Sequence, residues 1–294
     1  MSTLQIERID TFSGHRGPIY ALEKGLDSLF YSAGSDGWVV QWNLAKPDLG
    51  KVIAQIEGSI YALKLDVEGV LWIGHNHQGI QGIQVADQTQ VFSIPTKGLS
   101  IFSISFVGSN AWIGHNEGLI TVVDLATKSI VKHIKASSTS VRCFCQLDNQ
   151  HVAVGYSDGF IRIFDSSFQL ENSFLAHEAS VFSLQSRGGE LYSVGKDARI
   201  KQWTPDFTLK NEVIGHIYAI HDLQFSPDGN WFATASMDKT IKIWESDGLK
   251  LCKVLDATRH GGHKNSVNKL IWSTFDDLLV SASDDKNLSV WKIH

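Results

Sequence analysis

The chain has 294 residues, 43% hydrophobic and 19% charged, with 26 Lys+Arg against 31 Asp+Glu and a formal net charge of −5. That is an ordinary globular composition, and its mild acidity without a basic run offers no electrostatic footprint for a nucleic-acid backbone or an anionic membrane surface. Length alone suits either two ordinary domains or one large closed all-β domain.

Leu4 to Phe12 is the first predicted strand, and residues 1–10 hold no basic region followed by an apolar core. No later stretch approaches roughly 18 consecutive apolar residues, so the expectation is a cytoplasmic protein without a membrane partner. Beyond the first strand the chain repeats itself. Copies end in Val39-Val40-Gln41-Trp42, Ile80-Gln81-Gly82-Ile83, Ile120-Thr121-Val122-Val123, Ile161-Arg162-Ile163-Phe164, Ile200-Lys201-Gln202-Trp203, Ile241-Lys242-Ile243-Trp244 and Leu288-Ser289-Val290-Trp291. The intervals run from 39 to 47 residues, with a mean of about 41.5. Seven copies on one interval argue for a single repeat domain over 1–294, since two independent domains would not share it.

Copy six shows the internal pattern. Ala219 to Phe225 alternates, Ser226-Pro227-Asp228-Gly229 turns, and Trp231 to Ala235 is a second run. Met237-Asp238-Lys239 turns again, Thr240 to Trp244 is the third strand, Ser246-Asp247-Gly248 the next turn, and Leu249 to Leu255 the fourth strand. Four antiparallel strands per copy make a propeller blade. Pro18, Pro47, Pro95, Pro205 and Pro227 fall in or beside the turns, as residues that cannot donate to a central ladder should. No segment has a helical period long enough to compete. Cys143, Cys145 and Cys252 are too few for a disulfide framework and lack the paired spacing of a zinc site. Cys143 and Cys145 are expected to pack on one side of a strand.

Gly14-His15, Gly215-His216 and Gly262-His263, with Ala176-His177 a near match, precede blades one, six, seven and five. Asp36, Asp197, Asp238 and Asp285 each stand six residues before a strand-ending tryptophan. On these residues the chain resembles the WD-repeat (WD40) family of β-propellers, over essentially its whole length. It departs from that family in having no Trp-Asp dipeptide, the nearest being Phe164-Asp165 and Trp244-Glu245, and in middle copies that lack most of the signature. The Leu71-Trp72-Ile73-Gly74 run bears a weaker similarity to the repeats of bacterial sensor propellers. The resemblance implies an all-β, single seven-bladed propeller. Residues 4–12 are expected to supply the fourth strand of the blade formed by 263–294, closing the ring and removing exposed sheet edges.

Histidine, hydroxyl and carboxylate recur together as His15/Ser32/Asp36, His177/Ser193/Asp197, His216/Thr234/Asp238 and His263/Ser281/Asp285. The set invites comparison with a catalytic triad, but it is repeated in four blades, and Trp42, Trp203, Trp244 or Trp291 completes each copy with an indole donor. The resemblance implies structural tetrads tying each blade's entry loop to the turn between its second and third strands. Blades two to four carry Ile73, His77 and Ile83; Ile113, Glu117 and Val123; and Val154, Asp158 and Phe164 at the corresponding positions, and apolar packing is expected to replace hydrogen bonding there. His75, His77, His115 and Glu117, taken to lie in exposed turns, are candidate metal ligands, with solvated turns as the plainer reading; no resident metal or cofactor is expected.

The resemblance also implies that the residue after the first apolar position of each first strand points into the channel mouth. Those residues are Tyr20, Tyr61, Phe102, Arg142, Phe182, His221 and Asn268. Aromatic rings and arginine are enriched at binding hot spots, although the same rings could plug the channel by packing on one another. Arg16, Lys97, Glu178, Tyr218, Lys264, Lys196 and Tyr156 would form a mixed-sign rim. The expectation is a non-catalytic protein-protein interaction scaffold that binds partner proteins or peptides, a monomeric propeller within a larger complex. The alternative is a metal- or small-molecule-binding propeller, sensor or enzyme, using the His-rich turns of blades two and three.

Overall fold

The computed structural model describes residues 4–46, 50–76, 78–96 and 98–293. Its strands form seven four-stranded antiparallel sheets. Blades one to six are meanders over residues 19–55, 60–94, 101–135, 141–175, 181–214 and 220–255. Blade seven joins Ile6–Ser13 to Val267–Trp272, Leu279–Ser283 and Asn287–Ile293. The N-terminal strand pairs from Ile6↔Ile293 to Ser13↔Asn287, so it closes the last blade.

In blade six the alternating runs become Ile220–Phe225, Trp231–Ser236, Ile241–Glu245 and Lys250–Leu255, with bounds near those the turn residues predict. The interval of 47 residues before the last copy has a local cause. There the chain inserts a one-turn helix, Ala257–His260, with Asp256 Oδ1 accepting the Arg259 N–H at 2.8 Å and Gly261 ending it at φ 63°.

Met1–Leu65 with His216–His294 forms one compact unit and Asp66–Gly215 another. In the first, apolar side chains are shared between neighbouring blades: Phe12, Ile19, Trp42, Leu278 and Val290 between seven and one, and Ala235, Ile243, Val267, Leu270 and Trp291 between six and seven. Two buried or partly buried carboxylates fasten adjacent inner strands in this unit. Asp222 Oδ2 accepts the Leu270 N–H at 3.0 Å, and Glu23 Oε1 accepts the Leu65 N–H at 3.3 Å. In the second unit, Trp112, Ile120, Val141 and Phe164 pack between blades three and four, and Ile161, Ile163, Val181 and Trp203 between four and five. The packing is close: a Cβ on Gly114 would lie 2.5 Å from Val141 Cγ1, and one on Gly155 2.6 Å from Cys143 Sγ. Cys143 and Cys145 are buried on one side of the inner strand of blade four, and burial pushes the Cys145 thiol up to about 12.

Candidate functional site

The four repeated sets form closed tetrads. In blade one His15 Nδ1 lies 2.9 Å from Asp36 Oδ2 and Nε2 lies 2.7 Å from Ser32 Oγ, which accepts the Trp42 indole N–H at 2.8 Å. The same atoms meet at 2.9, 2.8 and 2.9 Å in His177/Asp197, Ser193 and Trp203. They meet at 2.8, 2.8 and 2.9 Å in His216/Asp238, Thr234 and Trp244, and at 3.0, 2.9 and 2.9 Å in His263/Asp285, Ser281 and Trp291. Indole only donates and carboxylate only accepts, so with a neutral imidazole the chain has one direction: Trp N–H to hydroxyl, hydroxyl O–H to Nε2, Nδ1–H to carboxylate. Each carboxylate also accepts backbone N–H groups of the entry loop, such as Arg16 at 2.8 Å and Lys264 at 2.9 Å.

These carboxylates are held ionised. Burial opposes the charge on Asp285, but the hydrogen bond from His263 and those from the N–H groups of Lys264 and Asn287 outweigh it and bring the group to about 2. Asp36, Asp197 and Asp238 shift the same way for the same reasons. Burial lowers His216 despite Asp238 beside it. The four hydroxyl residues are fully buried, so a substrate has no path to them, and a nucleophile must be reachable.

Blades three and four differ from the expectation of purely apolar replacement. In blade four Ser137, at the register of the tetrad histidine, donates to Asp158 at 2.9 Å, and Arg162 grips both Asp158 oxygens at 2.9 and 3.2 Å. The Arg162 guanidinium also lies 4.5 Å over the Tyr156 ring. In blade three His115 Nε2 lies 2.9 Å from Thr121 Oγ1, which lies 3.2 Å from His133 Nδ1. The physical reason is shared: His115 and Tyr156 end second strands, and each ring reaches a third-strand side chain six residues on across the hairpin. Blade two relies on a turn instead, its Trp72 indole donating to Asp66 Oδ2 at 3.0 Å with Lys128 Nζ 5.0 Å over the ring. Ser137, Arg162, Thr121 and His133 were not singled out by sequence; the aligned ring positions 75, 115 and 156 were the available signal.

The same geometry corrects the placement of the metal candidates. His75 and His115 are 0% exposed at the ends of strands Val70–His75 and Asn110–His115, not in solvated turns. Glu117 is exposed, and His77 lies outside the described residues. His115 is directed to Thr121, and burial followed by the charge of His133 lowers it to about 4. Among the described residues, no three His, Cys, Asp or Glu side chains gather as a metal set. Tyr156, expected in the rim, is fully buried beneath Arg162, and Lys97 lies outside the described residues.

The seven predicted mouth residues are all half-buried. Tyr20, Phe102, Arg142, Phe182, His221 and Asn268 each sit where the inner-strand register shifts by one residue, a β-bulge. A bulged residue leaves the alternation and is re-aimed, which spares these side chains the burial their neighbours undergo. In the first unit the Tyr20 and Tyr61 rings stack at 4.9 Å, Asn268 Nδ2 donates to Ile19 O at 2.9 Å and Asp284 Oδ1 at 2.8 Å, and His221 Nδ1 lies 3.2 Å from Val267 O. In the second, the Arg142 guanidinium lies 4.5 Å over Phe102 and 5.0 Å over Phe182. Within each unit these side chains pack on one another while staying only partly buried. No helix among the described residues is long and apolar enough to cross a membrane.

The family model described as "WD domain, G-beta repeat" (WD40) matches residues 6–43, 207–245 and 254–292, the stretches holding His15, His216 and His263. Among curated proteins, the chain is 21% identical to protein tipD of Dictyostelium discoideum, over 96% of this chain and 48% of that protein. It is 22% identical to striatin of Homo sapiens, over 83% and 36%, and 30% identical to nuclear distribution protein PAC1 of Arthroderma benhamiae, over 48% and 33%. The chain thus spans less than half the length of these relatives. The crystal structure of the WD40 β-propeller domain of Doa1 superposes with a TM-score of 0.87 at 18% identity, covering 98% of this chain and 97% of that one. With its tetrads, its seven four-stranded blades and these matches together, the chain is a seven-bladed β-propeller that carries WD40 repeats.

Proposed function

We propose that the chain is a non-catalytic cytoplasmic scaffold, one domain over 1–294, that binds partner proteins or peptides through Tyr20, Tyr61, Phe102, Arg142, Phe182, His221 and Asn268. The observation that carries this reading is the inner-strand bulge. A backbone irregularity keeps large rings and a guanidinium only partly buried, where burial by alternation would otherwise be favourable. Stacked partners fix their rotamers, so little conformational entropy is lost when a ligand settles on them. The burial of the tetrad hydroxyls supports the non-catalytic half of the reading.

Affinity capture from the native cell with the wild type and a Tyr61→Ala/Phe102→Ala variant tests it. Proteins retained by the wild type and lost by the variant are expected. Equal retention by both would reject these residues as the contact surface.

A further inference from the structure

Blade six differs from the other tetrad blades at two surface positions. After the tetrad histidine, blades one, five and seven place Arg16, Glu178 and Lys264, whereas blade six places Ile217. Before the tetrad aspartate they place Ser35, Lys196 and Asp284, whereas blade six places Met237. Ile217 is 80% exposed, Tyr218 59% and Met237 54%. Single exposed apolar residues are common, but these three lie on two segments fastened to each other. Met237 N–H donates to Ala219 O at 3.0 Å, Ser236 Oγ–H to Tyr218 O and Ala219 O at 3.2 and 2.9 Å, and Ile217 N–H to Asp238 Oδ2 at 3.3 Å. The patch is therefore pre-ordered, and the thioether of Met237 adapts to varied apolar shapes.

Charge around the patch, within the same unit, is predominantly positive. Lys239 follows it on the same turn, Lys264 and Lys286 occupy the equivalent loops of adjacent blade seven, and Arg16 that of blade one; all are exposed. Nearby acids are turned inward: Asp238 and Asp285 to their histidines, Asp284 to Asn268. Glu57 is the exposed acid at the Ile217 register of the loop entering blade two. Among the described residues no carboxylate pairs with Lys239, Lys264 or Lys286. Lys239 and Lys286 also stand at φ 72° and 70°, where blades one and four have Gly37 and Gly159. Each lysine keeps its charge there in a left-handed conformation that glycine would adopt more easily.

We propose that Ile217, Tyr218 and Met237, flanked by Lys239 and by Lys264 and Lys286 of the adjacent blade, form a docking site for an acidic peptide segment carrying one large apolar side chain. The apolar side chain covers Ile217 and Met237, and flanking carboxylates meet the lysines. This goes beyond the scaffold reading, because none of these residues is at a bulged position.

The test is fluorescence anisotropy with a fluorescein-labelled nonapeptide of aspartate and glutamate around a central leucine, against the same peptide with central serine. The leucine peptide is expected to bind at least about tenfold more tightly. Ile217→Ser/Met237→Ser is expected to remove that preference with an unchanged melting curve. Lys239→Gly/Lys286→Gly, which suits the left-handed backbone and so spares the fold, is expected to weaken binding and flatten its salt dependence. No binding to the wild type, or affinities unaltered by both variants, would overturn the proposal. So would sedimentation showing a wild-type dimer that Ile217→Ser dissolves, since a second copy would then be the occupant. Loss of capture in Tyr61→Ala/Phe102→Ala with peptide affinity intact would separate this site from the bulged one.

Discussion

A tetrad hydroxyl is at once the acceptor for an indole and the donor to an imidazole, so its removal strands two buried groups together. Ser281→Ala would leave Trp291 Nε1–H and His263 Nε2 without their 2.9 Å partners in a buried site. Orphaned buried polar atoms cost about 1–3 kcal/mol each, so urea unfolding should place this variant at least about 1 kcal/mol below wild type. An unchanged midpoint would count against the directional chain. The tetrads were legible because four copies repeat the same residue types at the same offsets. Asp158–Arg162 and His115–Thr121 were not, because each occurs once and joins side chains only after the hairpin has folded.

At the scale of elements, strands were readable from alternation and turns from Gly, Pro, Asp and Ser, and blade six matched within a residue or so. Bulges were not readable. A one-residue register shift leaves no mark on an apolar-polar pattern, and only the partner strand reveals it. The closing strand is the element whose loss should matter most. Ile6–Ser13 pairs along the whole of Asn287–Ile293, and Phe12 stacks on Trp42 at 5.4 Å. Deleting residues 1–12 exposes that edge and part of the core between blades seven and one. The truncated chain should melt at lower temperature or become insoluble; an identical melting curve would contradict the closure.

For the whole molecule, acid stability follows from which groups are buried neutral and which are held charged. His115 stays neutral down to about 4, while the same residue in the unfolded chain takes a proton near 6.5. The unfolded state therefore binds more protons in that window, and stability falls as pH drops through it. Asp285 adds a second window: its contribution is complete above the unfolded value of 3.8 and is lost as pH falls toward about 2. Between pH 7 and pH 5, His115→Gln should lose less stability than wild type by about 2 kcal/mol in paired urea titrations. Parallel losses would show that His115 is not held neutral.

The sequence by itself determined the repeat, the strands, the blade count, the closing strand and the tetrads. Each follows from periodicity or from residue types recurring at fixed offsets, information that is local or copied seven times. The tertiary structure alone decided where unrepeated side chains point. It buried His75, His115 and Tyr156, gave blades three and four their own polar ties, and placed rings on bulges. It also set Ile217, Tyr218 and Met237 side by side on two fastened segments. Such placements depend on register between strands and on which neighbour fills each space, and both exist only once the sheets have formed.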